Sequence, residues 1–167
     1  MHTQNSEQHS VSLLVNNRPG VLIRIALVFA RRGYNLESVV VSPSHDPAFS
    51  RMSMVATGEK KILEQIIKQL NKLVDVIHAT KHTAERVVER EIALIKVKCP
   101  VEERTEILQI AEHFKCTTVD ITETTLMLQS TGSSEKLNAL HTMLAKFGII
   151  ESVRSGKLIM ARGAEAT

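Results

Sequence analysis

Two asparagines, Asn17 and Asn35, flank a short apolar segment and are the side chains best suited to bind a small polar ligand. A turn with Gly20 follows Asn17, and residues 21–32 have the apolar spacing of a one-faced helix. A helix start presents unpartnered N–H groups and partial positive charge, which suit a carboxylate. Gly20 allows close backbone approach, and the Asn17 amide oxygen can accept from an ammonium. These features predict an amino-acid site; alternatively, the segment is only a turn and a helix cap.

Asn35 lies beyond the opposite end of that predicted helix. A helix over residues 21–32 is about 18 Å long, so one amino acid cannot touch both asparagines of one chain. If both contact the same ligand, Asn35 must come from a second copy of the chain. Two-fold pairing would then create two equivalent sites at the interface. Alternatively, Asn35 only tolerates the turn that follows the Gly33 helix cap.

Groups typical of catalysis or metal binding do not occur at recognisable spacings. His78 and His82 are four residues apart in a predicted strand, which is too far to share a metal ion. Cys99 and Cys116 form no Cys-x-x-Cys motif, so we expect two reduced thiols. We therefore predict a non-catalytic protein that binds no metal or cofactor of its own.

The elements that position the asparagines follow the order β-α-β-β-α-β in the first half of the chain. Strands are predicted over residues 10–15, 35–44, 49–58 and 75–82, and helices over residues 21–32 and 59–74. The second helix is expected to place Leu70, Leu73 and Val74 on its apolar face. This order is the ferredoxin-like split βαβ arrangement.

The second half of the chain repeats that order. Strands are predicted over residues 90–99, 117–125, 125–132 and 155–163, and helices over residues 102–115 and 135–147. The third helix is expected to turn Ile107, Leu108, Ala111 and Phe114 inward. The fold class is therefore α+β, with two ferredoxin-like domains in tandem. The expected boundaries are a flexible leader at 1–9, domains at 10–83 and 90–163, a linker at 84–89 and a tail at 164–167.

Composition weighs against nucleic acid and membranes as partners. The net charge is only +3, and basic and acidic residues alternate instead of forming one basic block. An RNA-recognition module shares the β-α-β-β-α-β order, but it needs aromatic pairs on its central strands, and this chain has one Tyr and no Trp. The polar first ten residues resemble neither a signal peptide nor a membrane span, so we expect a cytoplasmic protein.

Several segments together resemble the regulatory small subunit of acetohydroxyacid synthase, also called acetolactate synthase. They are "NNRPGVLIRIALVFARRGYNLESVVV", "SRMSMVATG", "LEQIIKQLNKLVDVI", "EREIALIKVK" and "RSGKLIMARG". The resemblance runs from about residue 10 to residue 163. It implies that the N-terminal domain is an ACT domain, which dimerises and binds a branched-chain amino acid, usually valine, between two copies.

The resemblance also implies particular partners and site residues. Asn17, Gly20, Val21 and Leu22 fall where the family holds the polar head of the effector, and Asn35 falls where the neighbouring subunit completes the site. The expected partner is a catalytic large subunit that uses thiamine diphosphate, magnesium and FAD, which the small subunit activates and makes sensitive to feedback inhibition. An alternative is a standalone amino-acid-sensing ACT protein.

Overall fold

The computed structural model describes residues 7–167, which form two compact units. Residues 7–88 together with Lys157–Thr167 make the first unit, and Glu89–Gly156 make the second. The second unit is therefore inserted in the chain of the first. Each unit is described separately below.

The first unit is one antiparallel sheet with two helices on one face. Its elements are β1 (Glu7–Asn16), α1 (Val21–Ala30), β2 (Asn35–Pro43), β3 (Phe49–Gly58), α2 (Lys60–Leu70) and β4 (Val76–His82), followed by a short 3-10 helix (Ala84–Arg86). The strand order is β2-β3-β1-β4, which leaves β2 at an edge. Alternation along β1 buries Val11, Leu13 and Val15 against the helices. Phe29 of α1 and Ile66 of α2 are fully buried in this core.

The second unit has the same order of elements and its own core. They are β5 (Val87–Lys98), α3 (Arg104–His113), β6 (Thr117–Ile121), β7 (Thr125–Gly132), α4 (Ser134–Ala145) and β8 (Ile149–Arg154); the first two residues of β5 still belong to the first unit. The strand order is β6-β7-β5-β8, and Ile95, Leu128 and Leu140 are buried beneath the helices. The predicted α+β class with two β-α-β-β-α-β units is confirmed. Cys99 and Cys116 are free thiols.

The final strand differs from the sequence prediction. The fourth strand of the second sheet is β8, whereas residues 155–163 were expected to supply it. The last strand, β9 (Leu158–Ala161), instead belongs to the first unit. The prediction was wrong here because alternation identifies a strand but does not identify the strand it pairs with.

Two further boundaries differ. β1 begins at Glu7, three residues before the predicted strand, so residues 7–9 are part of a strand and not of the expected leader over 1–9. Residues 1–6 of that leader lie outside the described residues. The expected linker over 84–89 contains a turn of 3-10 helix, and β5 already begins at Val87. Val87 is buried, which explains why this segment is ordered as a strand.

Two side chains expected in the core are exposed. Val74 is 93% exposed because α2 ends at Leu70, where the Asn71 side chain bonds to the backbone of Ala79 and turns the chain away. In α3, Ile110 is buried and Leu108 is exposed, because residues 107, 110, 111 and 114 form the inward stripe.

None of the helices within residues 7–167 combines the length and the apolarity that a membrane crossing requires.

Candidate functional site

The start of α1 is a helix end that no side chain caps. Gly20 occupies the N-cap position with φ +82, and it makes no side-chain cap hydrogen bond. The first turn of α1 contains no acidic residue. The N–H groups of Leu22 and Ile23 lie in that turn and have no acceptor within the helix. This end of α1 therefore retains donors and partial positive charge that a carboxylate could satisfy.

Asn17 lies just before this helix start, on the loop between β1 and α1. Its side-chain Nδ2 donates to Pro47 O at 3.1 Å, and its backbone N donates to Ala48 O at 2.8 Å. Both bonds tie the loop to the start of β3, as the turn alternative requires. Among the described residues, no donor bonds to Asn17 Oδ1. The amide can therefore stabilise the loop through its nitrogen and still accept a hydrogen bond from a ligand through its oxygen.

A guanidinium lies beside Gly20. Arg24 Nη2 pairs with Asp75 Oδ2 at 2.5 Å, and a Cβ atom placed on Gly20 would lie 3.1 Å from Arg24 Nη1. Arg24 is half-exposed, so the pair contributes little to stability, about 0–1 kcal/mol. Asp75 balances the charge of Arg24, but the other guanidinium N–H groups can still donate near the start of α1. A residue with a side chain at position 20 would require a small shift of the guanidinium and would have a strained left-handed backbone.

Val21 and Leu22 contribute differently to this end of the helix. The Val21 side chain is buried in the core, so only its backbone can face a ligand. Leu22 is 43% exposed and can contact the apolar part of a bound molecule. The sequence prediction assigned to both residues a role through their backbone N–H groups, and this role stays a prediction.

Asn35 is the first residue of β2, beyond the far end of α1, and its side chain is exposed. It pairs with Thr57 across the sheet. The preceding residue, Tyr34, is buried against Gly58, where a Cβ would lie 2.5 Å from the ring, and its hydroxyl donates to Glu59 O. Within one chain the structure therefore places Asn17 and Asn35 apart, at opposite ends of α1.

An exposed apolar surface lies on the outer side of α1 and on edge strand β2. We call it the α1–β2 surface; it consists of Leu22, Ile23, Leu27, Val39 and Val41, each more than a third exposed. An exposed edge strand beside apolar side chains is a surface suited to pairing with another chain. This surface extends from the helix start to the strand that carries Asn35.

Sequence reasoning missed three contributors to this region: Arg24, Tyr34 and Asp75. Only Tyr34 had a recognisable signal, since the residue after a glycine helix cap frequently makes an apolar contact with the last turn of that helix. The Arg24–Asp75 pair joins residues far apart in the chain, so no local pattern predicts it. Among residues 7–167, no cluster of three or more His, Cys, Asp or Glu side chains could hold a metal ion.

Two family models match this chain, one for each half. Residues 11–78 match the "AHAS small subunit-like ACT domain", and residues 90–163 match the "Small subunit of acetolactate synthase". The first match includes the start of α1 and Asn35.

Individual relatives extend the match along nearly the whole chain. A probable acetolactate synthase small subunit of Archaeoglobus fulgidus is 41% identical over 156 residues, covering 93% of this chain and 98% of that protein. A second, from Methanothermobacter thermautotrophicus, is 43% identical and covers 94% of each chain. The crystal structure of the acetolactate synthase small subunit from Thermotoga maritima matches with a TM-score of 0.86 at 38% identity, over 95% of this chain and 99% of that one. The chain described here therefore belongs to the acetolactate synthase small-subunit family.

Proposed function

We propose that this protein is a non-catalytic regulatory subunit that binds valine, or another branched-chain amino acid, between two ACT domains. It associates with a catalytic acetolactate synthase subunit in the cytoplasm, raises the activity of that subunit and makes it sensitive to feedback inhibition. The catalytic partner supplies the thiamine diphosphate, magnesium and FAD. The observation that carries the ligand part of this proposal is the uncapped start of α1 beside Asn17.

The groups at that helix start match the two charges of an amino acid. The N–H groups of the first turn and the nearby Arg24 suit the carboxylate. The Oδ1 atom of Asn17 suits the ammonium. The exposed Leu22 offers an apolar contact for a branched side chain. Family membership supports the same assignment.

Dimerisation would bring Asn35 of a second chain to the ligand site beside Asn17. Asn17 and Asn35 are separated by α1, whose ten residues span about 15 Å. A two-fold axis that buries the α1–β2 surface would bring the β2 end of one chain to the α1 start of its partner. Each dimer would then hold two ligands, each bound by Asn17 of one chain and Asn35 of the other.

Calorimetry on mixed dimers tests this shared site. Asn17→Ala and Asn35→Ala homodimers should each bind valine about 10- to 100-fold more weakly, because each loses a hydrogen bond to a charged group. A mixed dimer carrying one substitution in each chain, purified through two affinity tags, should keep one wild-type site. The control is Asn138→Ala, an exposed asparagine on α4, which should bind valine normally.

The stoichiometry decides the outcome. One tight site per mixed dimer supports a site shared across the interface. Two weakened sites would show that each ligand is held by a single chain. If the wild-type protein binds no valine, leucine or isoleucine, the ligand part of the proposal is wrong.

Reconstitution with the catalytic subunit separates a regulatory subunit from a standalone sensor. Acetolactate formation should increase when this protein is added and should then fall as valine is titrated. A protein that binds valine but neither copurifies with the catalytic subunit nor changes its rate would be a standalone sensor.

A further inference from the structure

The last strand, β9, packs on the first unit although it follows the second unit in the chain. Lys157–Thr167 belongs to the first unit, and the preceding residue, Gly156, has φ +84. The chain therefore passes between the two units twice, at residues 88–89 and at residues 156–157. The second unit is attached at both of its ends.

Two serines of the first sheet hold the backbone of this segment. Lys157 N donates to Ser38 Oγ on β2 at 3.2 Å, and Ile159 N donates to Ser53 Oγ on β3 at 3.3 Å. Strand register places both serines on one face of the sheet together with Val55, because Ser38 pairs with Val55 and Val40 pairs with Ser53. That face is opposite to the one on which Met52 and Met54 join the core beneath the helices.

The burial of side chains on this face and on β9 agrees with these two bonds. Val55 is only 3% exposed although its side chain points away from α1 and α2. Ile159 is 8% exposed, whereas its neighbours Leu158 and Met160 are 55% and 69% exposed. This alternation is that of a strand with one face buried against the protein, and Ile159 is its inward anchor.

The residue before β5 and the residue after β9 are bonded to each other. Arg162 N donates to Arg86 O at 2.9 Å, beside the buried Val87 at the start of β5. Arg51 Nη1, on β3, donates to Thr167 O at 2.9 Å. Both connections to the second unit are therefore held on the first unit.

We propose that β9 is a clasp that couples the ligand site of the first unit to the second unit. This inference rests on the proposed function. Asn35 and Ser38 lie three residues apart on edge strand β2. A ligand that holds Asn35 restrains β2, and the bond from Ser38 to Lys157 N carries that restraint to the segment leaving the second unit. The clasp is the two-state element, either seated on the sheet face or released from it.

Ile159→Asn tests the clasp by removing its inward anchor. The matched control is Met160→Asn, the same change at the exposed neighbouring position. In the Ile159 variant alone, the amides of β9 should exchange hydrogen at least tenfold faster. With the catalytic subunit, this variant should still activate, but half-inhibition should need at least tenfold more valine. Calorimetry on the variant without the catalytic subunit should still show saturable valine binding, weakened by no more than the factor by which half-inhibition shifts, because clasp seating and ligand binding are linked.

A second, milder variant keeps the test valid if the Ile159→Asn protein does not fold. Ser38→Ala combined with Ser53→Ala removes both hydroxyl acceptors and leaves the core beneath the helices intact. Its control is Ser42→Ala, an exposed serine farther along β2. The double variant should shift half-inhibition in the same direction by about three- to tenfold, and the control should not.

Two results overturn the inference. The first is a folded variant in which the β9 amides exchange hydrogen faster but half-inhibition needs the same valine concentration as in the wild type. This result would show that the clasp does not couple the ligand site to the second unit. The second is hydrogen exchange of the β9 amides at the wild-type rate in both variants. This result would show that Ile159 and the two serine hydroxyls do not hold β9 in place. A failure of the proposed function appears separately, since the wild-type protein would then fail to bind valine or to alter the catalytic subunit.

Discussion

At the scale of single residues, Gly20 and Tyr34 prepare the two ends of α1. Gly20 gives the helix start its left-handed N-cap and leaves room beside Arg24. Tyr34 fills the space above Gly58, directly before Asn35. Gly20 acts because it has no side chain, and Tyr34 acts because its large side chain is buried.

Gly20→Ala should weaken valine binding at least tenfold and destabilise the first unit by about 1–2 kcal/mol, the cost of a left-handed L-residue. Gly148→Ala in the second unit is a matched control: its φ is +85, and its Cβ would meet Lys98 Cδ at 3.3 Å. Urea unfolding should show similar costs for both variants, and calorimetry should show a binding defect only for Gly20→Ala. Equal binding by the two variants would argue against a ligand at this helix start.

Tyr34 should make the first unit less stable in alkali. Burial raises the pKa of its phenol above the ordinary value of 10.0, and the Glu59 carboxylate adds to this shift. As the pH rises above about 10, the unfolded chain releases this proton and the folded chain retains it, so the free energy of unfolding falls. The stabilising effect is fully present below pH 10 and is lost as the pH rises through the folded pKa.

Tyr34→Phe should lower stability at pH 7 by about 0.5–1.5 kcal/mol, because the bond to Glu59 O is lost. Its stability should then decline less steeply than that of the wild type between pH 9.5 and 11. Burial also raises the pKa of Cys116, but that thiol is present in both proteins and cancels in the comparison. Parallel declines, measured by urea unfolding, would contradict the shift.

At the scale of elements, α1 and β2 act together. The inward side of α1 builds the core through Val21, Ile25 and Phe29, while its outer side contributes to the α1–β2 surface. β2 completes that surface, carries Asn35 and holds β9 through Ser38. A single edge strand thus joins the proposed interface, ligand site and clasp.

Leu27→Lys should break the proposed dimer by placing a charge in an apolar interface. Leu108→Lys on α3 is the matched control, since Leu27 and Leu108 are 44% and 40% exposed. Light scattering after size-exclusion chromatography should give a monomer or a concentration-dependent mixture for Leu27→Lys and a dimer for the control. A stable dimer for both variants would place the interface elsewhere.

At the scale of the whole molecule, two units with separate cores share one chain. Among residues 7–167, no residue belongs to both core clusters, so each unit has its own source of stability. Only the first unit contains the proposed ligand site. Ligand binding should therefore stabilise the two units unequally.

Leu126→Ala should reveal this division. Leu126 is fully buried in the second core, and its truncation should cost about 2–5 kcal/mol. Calorimetric scans should then show the second unit melting first, and valine should raise the temperature of the later transition. Leu70→Ala, an equally buried position in the first unit, should reverse the order. A single transition in both variants would show that the units unfold together.

Much of this architecture follows from local patterns in the sequence. Apolar spacing predicted the order of strands and helices, because side-chain periods of about 3.6 and 2 residues are local properties of the backbone. Gly33 and Gly148 marked helix ends for a similar reason, since a left-handed turn favours glycine wherever it occurs. The separation of Asn17 and Asn35 followed from helix length.

Only the tertiary structure determined where β9 packs, which side chain lies over Gly58 and how Arg24 meets Asp75. Each of these contacts joins residues distant in the chain, so its energy depends on surfaces that exist only after the units have formed. The alternation of Leu158, Ile159 and Met160 identifies a strand with one buried face. The sheet that buries Ile159 was decided by the face of the first unit that α1 and α2 leave uncovered.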